Sequence, residues 1–369
     1  MRLLLVSQDF PPETGGIQSY MGQLAHAISP LCESFSVVAP NSPRLAPGHD
    51  ASLPFPVHRI GVHSSWLVLP LLAQLPRLVR EHRATHVLFA QWFPALAGIR
   101  LPSSVRQASM AYGRELLRHP LGSMGLALAG PTLSHLDAVI PCSRRTAELL
   151  PSSIRPDRIH VVYPGVDRTR FSRPDEAELE RLRARFGILP GAPIVTCLTR
   201  LVPRKGVDTL VESAKFLRER LPGTRILVGG KGPDRARIED KIRQFGVEDT
   251  VTLVGRVDDR DLAVFLSLGV FTLLSREEPR DMEGFGMVLA EAQSCGAPVV
   301  AARSGGMPEA VGDGAGLIVA PDDPRGAAEA FVDLLTSERH ASASLAGQTF
   351  VQGLDWPSRA REVVSILEG

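Results

Sequence analysis

Glu283 and Glu291 stand eight residues apart, with Gly284-Phe285-Gly286 directly after the first. The apolar run Val270-Phe271-Thr272-Leu273-Leu274 upstream reads as a buried strand, and Met287 to Cys295 as a helix opening just past the glycines. The loop therefore falls at a strand's carboxyl end, where open α/β sheets bind ligands. There the backbone N–H groups of Phe285, Gly286 and Met287 can meet hydroxyls or phosphate oxygens. A carboxylate at each end of an extended polar ligand suits a nucleotide sugar. An isolated glutamate pair would be better read as a helix-terminal charge and a solvated helix residue; the intervening glycines and a basic pair upstream reverse that ordering.

The basic pair lies in Leu198-Thr199-Arg200-Leu201-Val202-Pro203-Arg204-Lys205-Gly206. Arg200 and Lys205 straddle a turn opening onto a helix expected from Val207 to Leu217, where two cations and a helix N-terminus favour a diphosphate. The competing reading is a solvated basic loop. The ligand reading is preferred for Arg200, the solvated one for Arg204. Val228-Gly229-Gly230-Lys231-Gly232-Pro233 and Val254-Gly255-Arg256-Val257-Asp258 put glycines at two further strand ends and outline a crevice. Thr14-Gly15-Gly16 precedes the first helix, a weaker signal because such pairs are usually turns. No Gly-x-Gly-x-x-Gly is present there, and the second strand runs into Ala39-Pro40-Asn41 without an acidic residue, which argues against a dinucleotide fingerprint. Asp259-Arg260-Asp261 is read as helix N-terminal charge, not as a metal-binding pair.

Short apolar runs alternate with helical stretches. Strands are expected at Leu3 to Ser7, Phe35 to Ala39, His86 to Phe89, Ala138 to Ile140, Val161-Val162, Ile194 to Leu198, Arg225 to Val228, Val251 to Val254, Val270 to Leu274, Pro298 to Ala301 and Gly316 to Val319. This alternation predicts an α/β chain with two mostly parallel sheets. The boundary is placed at Tyr163-Pro164-Gly165-Val166-Asp167, giving domains 1–167 and 168–354, with a helix at about 355–369 packing back on the first.

Composition bounds the partners. Lys+Arg number 41 against Asp+Glu 40, so no overall field draws nucleic acid, and any basic site must be local. Cys32, Cys142, Cys197 and Cys295 are far apart, which argues against a zinc site or disulfide framework and for reduced thiols in the cytoplasm. The opening apolar run is too short for a signal peptide or membrane span.

Together these residues resemble retaining glycosyltransferases of the GT-B fold, specifically family four. The resemblance runs through Pro11-Pro12-Glu13-Thr14-Gly15-Gly16, Tyr163 to Asp167, Arg200 with Lys205, the strand ends at 229–233 and 254–258, Glu283 with Glu291, and Gly305-Gly306-Met307-Pro308-Glu309. It implies two Rossmann-like domains facing across a cleft, with Arg200 and Lys205 gripping the donor diphosphate in place of a metal. Glu283 and the amides of Phe285, Gly286 and Met287 would surround the transferred sugar, and Glu291 would hold the ribose. Gly230 and Lys231 would line the donor site, Arg256 and Val257 would meet the base, and Gly15 and Gly16 would reach the phosphates. Tyr112 stands where the family commonly has a histidine; a phenol can still hydrogen-bond a sugar hydroxyl but is a poor base at neutral pH.

The expected activity is metal-independent, cofactor-free transfer of a hexose from a nucleotide-diphosphate sugar to an acceptor hydroxyl with retention. The alternatives are a nucleotide-sugar epimerase and a non-catalytic nucleotide-binding partner. The acceptor, whether glycan, small molecule or lipid-linked, is left open. Trp66 to Arg83 joins apolar residues to a basic end, as peripheral membrane surfaces do. Packing on the first sheet is the preferred reading, with Leu71, Leu72, Leu75, Leu78 and Val79 on one face and Pro70 and Pro76 interrupting any single long helix.

Overall fold

The computed structural model describes residues 1–61, 67–119 and 122–369, with Ser337 by its backbone alone. They divide into two compact units, Met1–Gly165 with Trp356–Gly369, and Val166–Asp355.

The first unit is a six-stranded sheet of β1 (Arg2–Val6), β2 (Ser34–Pro40), β3 (Val57–Ile60), β4 (His86–Phe89), β5 (Arg106–Ala111) and β6 (Ala138–Pro141). The order is β3-β2-β1-β4-β5-β6 and every pairing is parallel. Buried on both faces, these strands need continuous apolar runs, and Leu3, Leu4, Leu5 and Val6 of β1 are all buried. Helices α1 (Gly16–Ile28) and α2 (Val68–Glu81) belong to this unit, as does the helix Trp356–Glu368. The Trp356 ring packs edge-on against Tyr20 of α1, centroids 5.1 Å apart.

The second unit repeats the plan with β7 (Ile194–Leu198), β8 (Arg225–Gly229), β9 (Val251–Gly255), β10 (Val270–Leu273), β11 (Val299–Ala302) and β12 (Gly316–Val319), again all parallel, in the order β12-β11-β10-β7-β8-β9. In each sheet the order of strand addition thus reverses once, between β1 and β4 in the first unit and between β7 and β10 in the second. Ligands of open α/β sheets sit at the carboxyl ends of strands at such points.

Three expectations are corrected. Val161-Val162 forms no strand; the segment runs beside β6 through His160 N–H to Val139 O and Val162 N–H to Pro141 O, with a single bridge at Ile159. Strands β3 and β5, absent from the expected set, are formed by Val57-His58-Arg59-Ile60 and Arg106-Gln107-Ala108-Ser109-Met110-Ala111. Helix α2 is continuous through both prolines. Pro70 falls in the first turn, where its missing N–H costs nothing, and Pro76 costs one hydrogen bond that burial of Leu71, Leu75 and Val79 against the sheet outweighs. Leu72 and Leu78 pack at the margin of the same core, and Trp66 lies outside the described residues.

Candidate functional site

Three neighbouring strand ends of the second unit are stitched together by backbone hydrogen bonds. Thr199 N–H donates to Gly229 O, Leu201 N–H to Lys231 O and Gly230 N–H to Gly255 O, over 2.7–3.0 Å. The loop after β7 then turns at Gly206, whose φ of 65° is left-handed, into the helix Val207–Arg220. A Cβ at Gly206 would overlap the Leu274 carbonyl, so only glycine lets the basic turn lie against the end of β10.

That close approach places Lys205 and Arg204 on Glu283. Lys205 Nζ donates to Glu283 Oε2, Arg204 Nη1 reaches the same oxygen at 3.2 Å, and Arg204 Nε lies 3.3 Å from Asp281 Oδ2. Both cationic side chains are about nine-tenths buried. Burial alone would raise the Glu283 carboxyl, but Lys205 and Arg204 outweigh it and hold the group below its usual value. An ammonium carries three donors, so Glu283 leaves Lys205 capacity for phosphate oxygens. Arg204, read from sequence as solvated, is therefore an integral part of this cluster. Its partner Asp281 gave no periodic or motif signal.

The Glu283 backbone is fixed from the other side by Gly306 N–H, which donates to Glu283 O at 2.9 Å, while Gly305 N–H donates to Glu277 Oε1 at 2.8 Å. Gly286, at φ 88°, starts the helix Met287–Ser294, so the amides of Met287 and Val288 have no acceptor within the helix, while Leu289 N–H donates to Gly286 O at 2.8 Å. Phe285 and Gly286 are buried and Met287 is half-buried. Glu291 sits in the second turn, half-buried; desolvation pushes its carboxyl up to about 7, tempered by Arg170 and reinforced by Asp167. Asp167 accepts from the amides of Thr169 and Arg170 and closes its own turn, so the stretch read as a domain boundary and as part of the resemblance also sets the charge around Glu291.

The other candidates are spread around this core. Arg200, Lys231 and Arg256 are exposed on the three stitched loops, Gly230 takes φ 126°, and Val257 packs beside Phe265. Asp261 is not a simple helix-terminal charge: it is buried and accepts from Arg181 and Arg185 at 2.6 and 2.7 Å, tying two helices together. Among the described residues no group of three or more His, Cys, Asp or Glu could hold a metal.

In the first unit, Gly15 and Gly16 are exposed at the head of α1, and Gly15 has extended backbone that any residue adopts. Tyr112 departs from the expected arrangement. Its phenol is buried, donates to Met21 Sδ at 2.8 Å and packs edge-on against Tyr20. Desolvation raises its pKa well above the ordinary value, so the hydroxyl is committed to the core and not turned toward a sugar.

A family model described as "Glycosyl transferases group 1" matches residues 179–346, and one described as "Glycosyltransferase Family 4" matches residues 14–170. The chain is 33% identical over 383 residues to the GDP-mannose-dependent alpha-(1-6)-phosphatidylinositol monomannoside mannosyltransferase of Mycolicibacterium smegmatis, covering 100% of this chain and 98% of that one. To the monoacylated-acceptor counterpart of Corynebacterium glutamicum it is 29% identical over 385 residues, with the same coverage. Among solved structures it is similar in fold to Anabaena HepE in complex with UDP and glucose, with TM-score 0.80 and 19% identity over 100% of both chains. The sucrose-phosphate synthase of Thermosynechococcus elongatus gives TM-score 0.82 and 21% identity over 100% of this chain and 98% of that one.

Proposed function

We propose that this chain, which belongs to glycosyltransferase family 4, transfers mannose from GDP-mannose to a hydroxyl of a phosphatidylinositol-mannoside-type glycolipid. The sugar-transferring activity is that of the family. The choice of donor and acceptor is supported by similarity along the whole length to relatives so named. The observation that carries the chemistry is the convergence of Lys205 and Arg204 on Glu283 at the reversal point of the second sheet.

In this reading the donor diphosphate meets Lys205, Arg200 and the free first-turn amides of the helix Met287–Ser294. The acceptor oxygen bonds to the anomeric carbon as the bond to the diphosphate oxygen breaks, with its electron pair passing to the phosphate. The hydroxyl proton leaves with the nucleoside diphosphate, and attack on the departing face retains configuration. Negative charge grows on the leaving group, so fixed cations stabilise the transition state more than the ground state. Glu283 orients the sugar and Glu291 accepts from the ribose hydroxyls. The basic residues supply the charge a divalent metal would otherwise carry, so a chelator leaves the rate unchanged. A lipid-linked acceptor brings the protein to a membrane surface, and among the described residues no helix is long and apolar enough to cross one.

The deciding experiment incubates the protein with GDP-mannose, UDP-glucose or ADP-glucose, each with and without phosphatidylinositol monomannoside, and follows nucleotide release and lipid product. Lipid mannosylation from GDP-mannose with an α-linkage is expected. Transfer only from another donor refutes the donor choice, and conversion of the donor sugar without any acceptor points to an epimerase.

A further inference from the structure

The first unit carries a polar clamp at its own sheet reversal, at the position matching that of Lys205 and Glu283 in the second. Asp9 follows β1, and its carboxylate is held at both ends: Gln18 Nε2 donates to Oδ1 at 2.8 Å and Gln91 Nε2, from the end of β4, to Oδ2 at 3.2 Å. The backbone is fixed as well, since Asp9 N–H donates to Ser7 Oγ, whose hydroxyl donates to Asp9 O at 2.6 Å. A helix pair or a core would not need this arrangement, because Asp9 remains partly exposed.

A second observation shows what the clamp lacks. Gln91 is only 3% exposed and its Oε1, on the carboxamide bonded to Asp9, has no hydrogen-bond partner. Nearby, Glu115 accepts from Tyr112 N–H through Oε1 and leaves Oε2 unpaired. Uncompensated acceptors at a sheet reversal call for donors, and a carboxylate beside them repels phosphate. Among the described residues the groups acting on Asp9 besides Gln18 and Gln91 are Gln8, Arg114, Glu13, Glu115 and the Tyr112 phenol, so carboxylates outnumber cations there. Desolvation raises Asp9 above the usual carboxyl range, with Gln91 and Arg114 opposing. The second unit presents cations and amides suited to phosphate; this place presents the partly exposed Asp9 carboxylate, whose lone pairs suit hydroxyls.

We propose that Asp9, clamped by Gln18 and Gln91, receives a ring hydroxyl of the acceptor and makes the first unit selective for a neutral polyol surface, with any acceptor phosphate placed elsewhere. This rests on the transfer reading above. Asp9→Asn keeps the shape and both carboxamide neighbours while removing the charge that a hydroxyl would meet.

The test compares the full-length protein and Asp9→Asn in three measurements: KM for phosphatidylinositol monomannoside, nucleotide release from GDP-mannose without acceptor, and binding of methyl α-mannoside by saturation-transfer NMR. Loss of one charge-assisted hydrogen bond predicts a roughly 10- to 150-fold rise in acceptor KM, with donor hydrolysis within about twofold of wild type and methyl mannoside binding lost. Gln18→Ala, which frees one end of the carboxylate, gives a smaller rise in the same constant. An unchanged acceptor KM overturns the proposal, and so does an equal fall in donor hydrolysis, which would mark Asp9 as structural. Should GDP-mannose prove to be the wrong donor, the NMR measurement still decides: methyl mannoside bound by wild type and not by the variant upholds Asp9, and equal binding removes it.

Discussion

Lys205, at the end of the loop after β7, and Glu283, after β10, meet through Nζ and Oε2 where the second sheet reverses. The pair joins the only two strand ends that diverge there, so it locks the two loops at a fixed separation while keeping the ammonium partly uncommitted. Arg204 reinforces the lock by bridging Glu283 and Asp281. Binding capacity and local rigidity thus come from the same three side chains.

Lys205→Ala and Arg200→Ala are each expected to lower turnover by roughly 30- to 1000-fold, since a charge-assisted contact to the leaving group is worth about 2–4 kcal/mol. The exposed Arg200 can be lost without a change in melting temperature. Arg204→Ala, by contrast, takes one cationic partner from each of two carboxylates, Glu283 and Asp281, and lowers both turnover and melting temperature. Steady-state kinetics beside calorimetry separates the cases, and wild-type rates in both of the first two variants would remove them from the diphosphate.

Glu291 titrates in a useful range. Its carboxyl is raised from an ordinary 4.5 to about 7, so the folded state favours the protonated form. The stability this contributes is full below the unfolded value and is lost as pH rises through about 7. Glu291→Gln should therefore melt above wild type at pH 8, with the difference vanishing near pH 4. Ribose binding needs the ionised form, so nucleoside diphosphate affinity falls more steeply below pH 7 in wild type than in Glu291→Gln. Melting curves at pH 4 and 8 check the first sign and titration calorimetry across pH 5.5–8 the second, and identical binding profiles would take Glu291 away from the ribose.

Gly206→Ala tests the close approach of the basic turn to Leu274. A left-handed alanine with its Cβ against a carbonyl costs about 2–3 kcal/mol. For a unit of this size that corresponds to a fall of roughly 4–12 °C in its melting temperature. Turnover should fall as well, because Lys205 moves with the turn; a melting curve matching wild type would refute the packing argument.

Helix α2 spends Leu71, Leu75 and Val79 on the sheet, leaving Leu69, Arg77, Arg80 and, just beyond it, Arg83 exposed. Arg77 is drawn to Glu81 at 2.6 Å, a surface pair of little worth. Co-sedimentation with anionic liposomes is expected at low salt and is lost at high salt. Replacing Arg80 and Arg83 by glutamine should weaken it about 30-fold, at ~1 kcal/mol per basic residue. Binding that ignores both salt and this substitution would exclude an electrostatic contact through α2.

The parallel sheets were legible because most strands are continuous apolar runs. Strand β5 was not, because its Gln107 and Ser109 are polar yet buried, and β3 was not, because an edge strand carries His58 and Arg59 at its centre. Residue types and spacing were enough to single out Lys205, Glu283 and Glu291. They could not show Arg204 turning inward, since that depends on Asp281 in a loop far along the chain. Nor could they show Tyr112 turning onto Met21, a contact made across the sheet by a residue of α1.

The helix Trp356–Glu368 belongs to the first unit although the whole second unit precedes it in sequence, and Trp356 closes over Tyr20. A ribosome therefore delivers the second unit complete while the first still lacks one of its layers. During synthesis the part of Tyr20 that Trp356 covers stays open until residues 356–368 emerge, so the unit begun first is completed after the second, against the usual amino-to-carboxyl order.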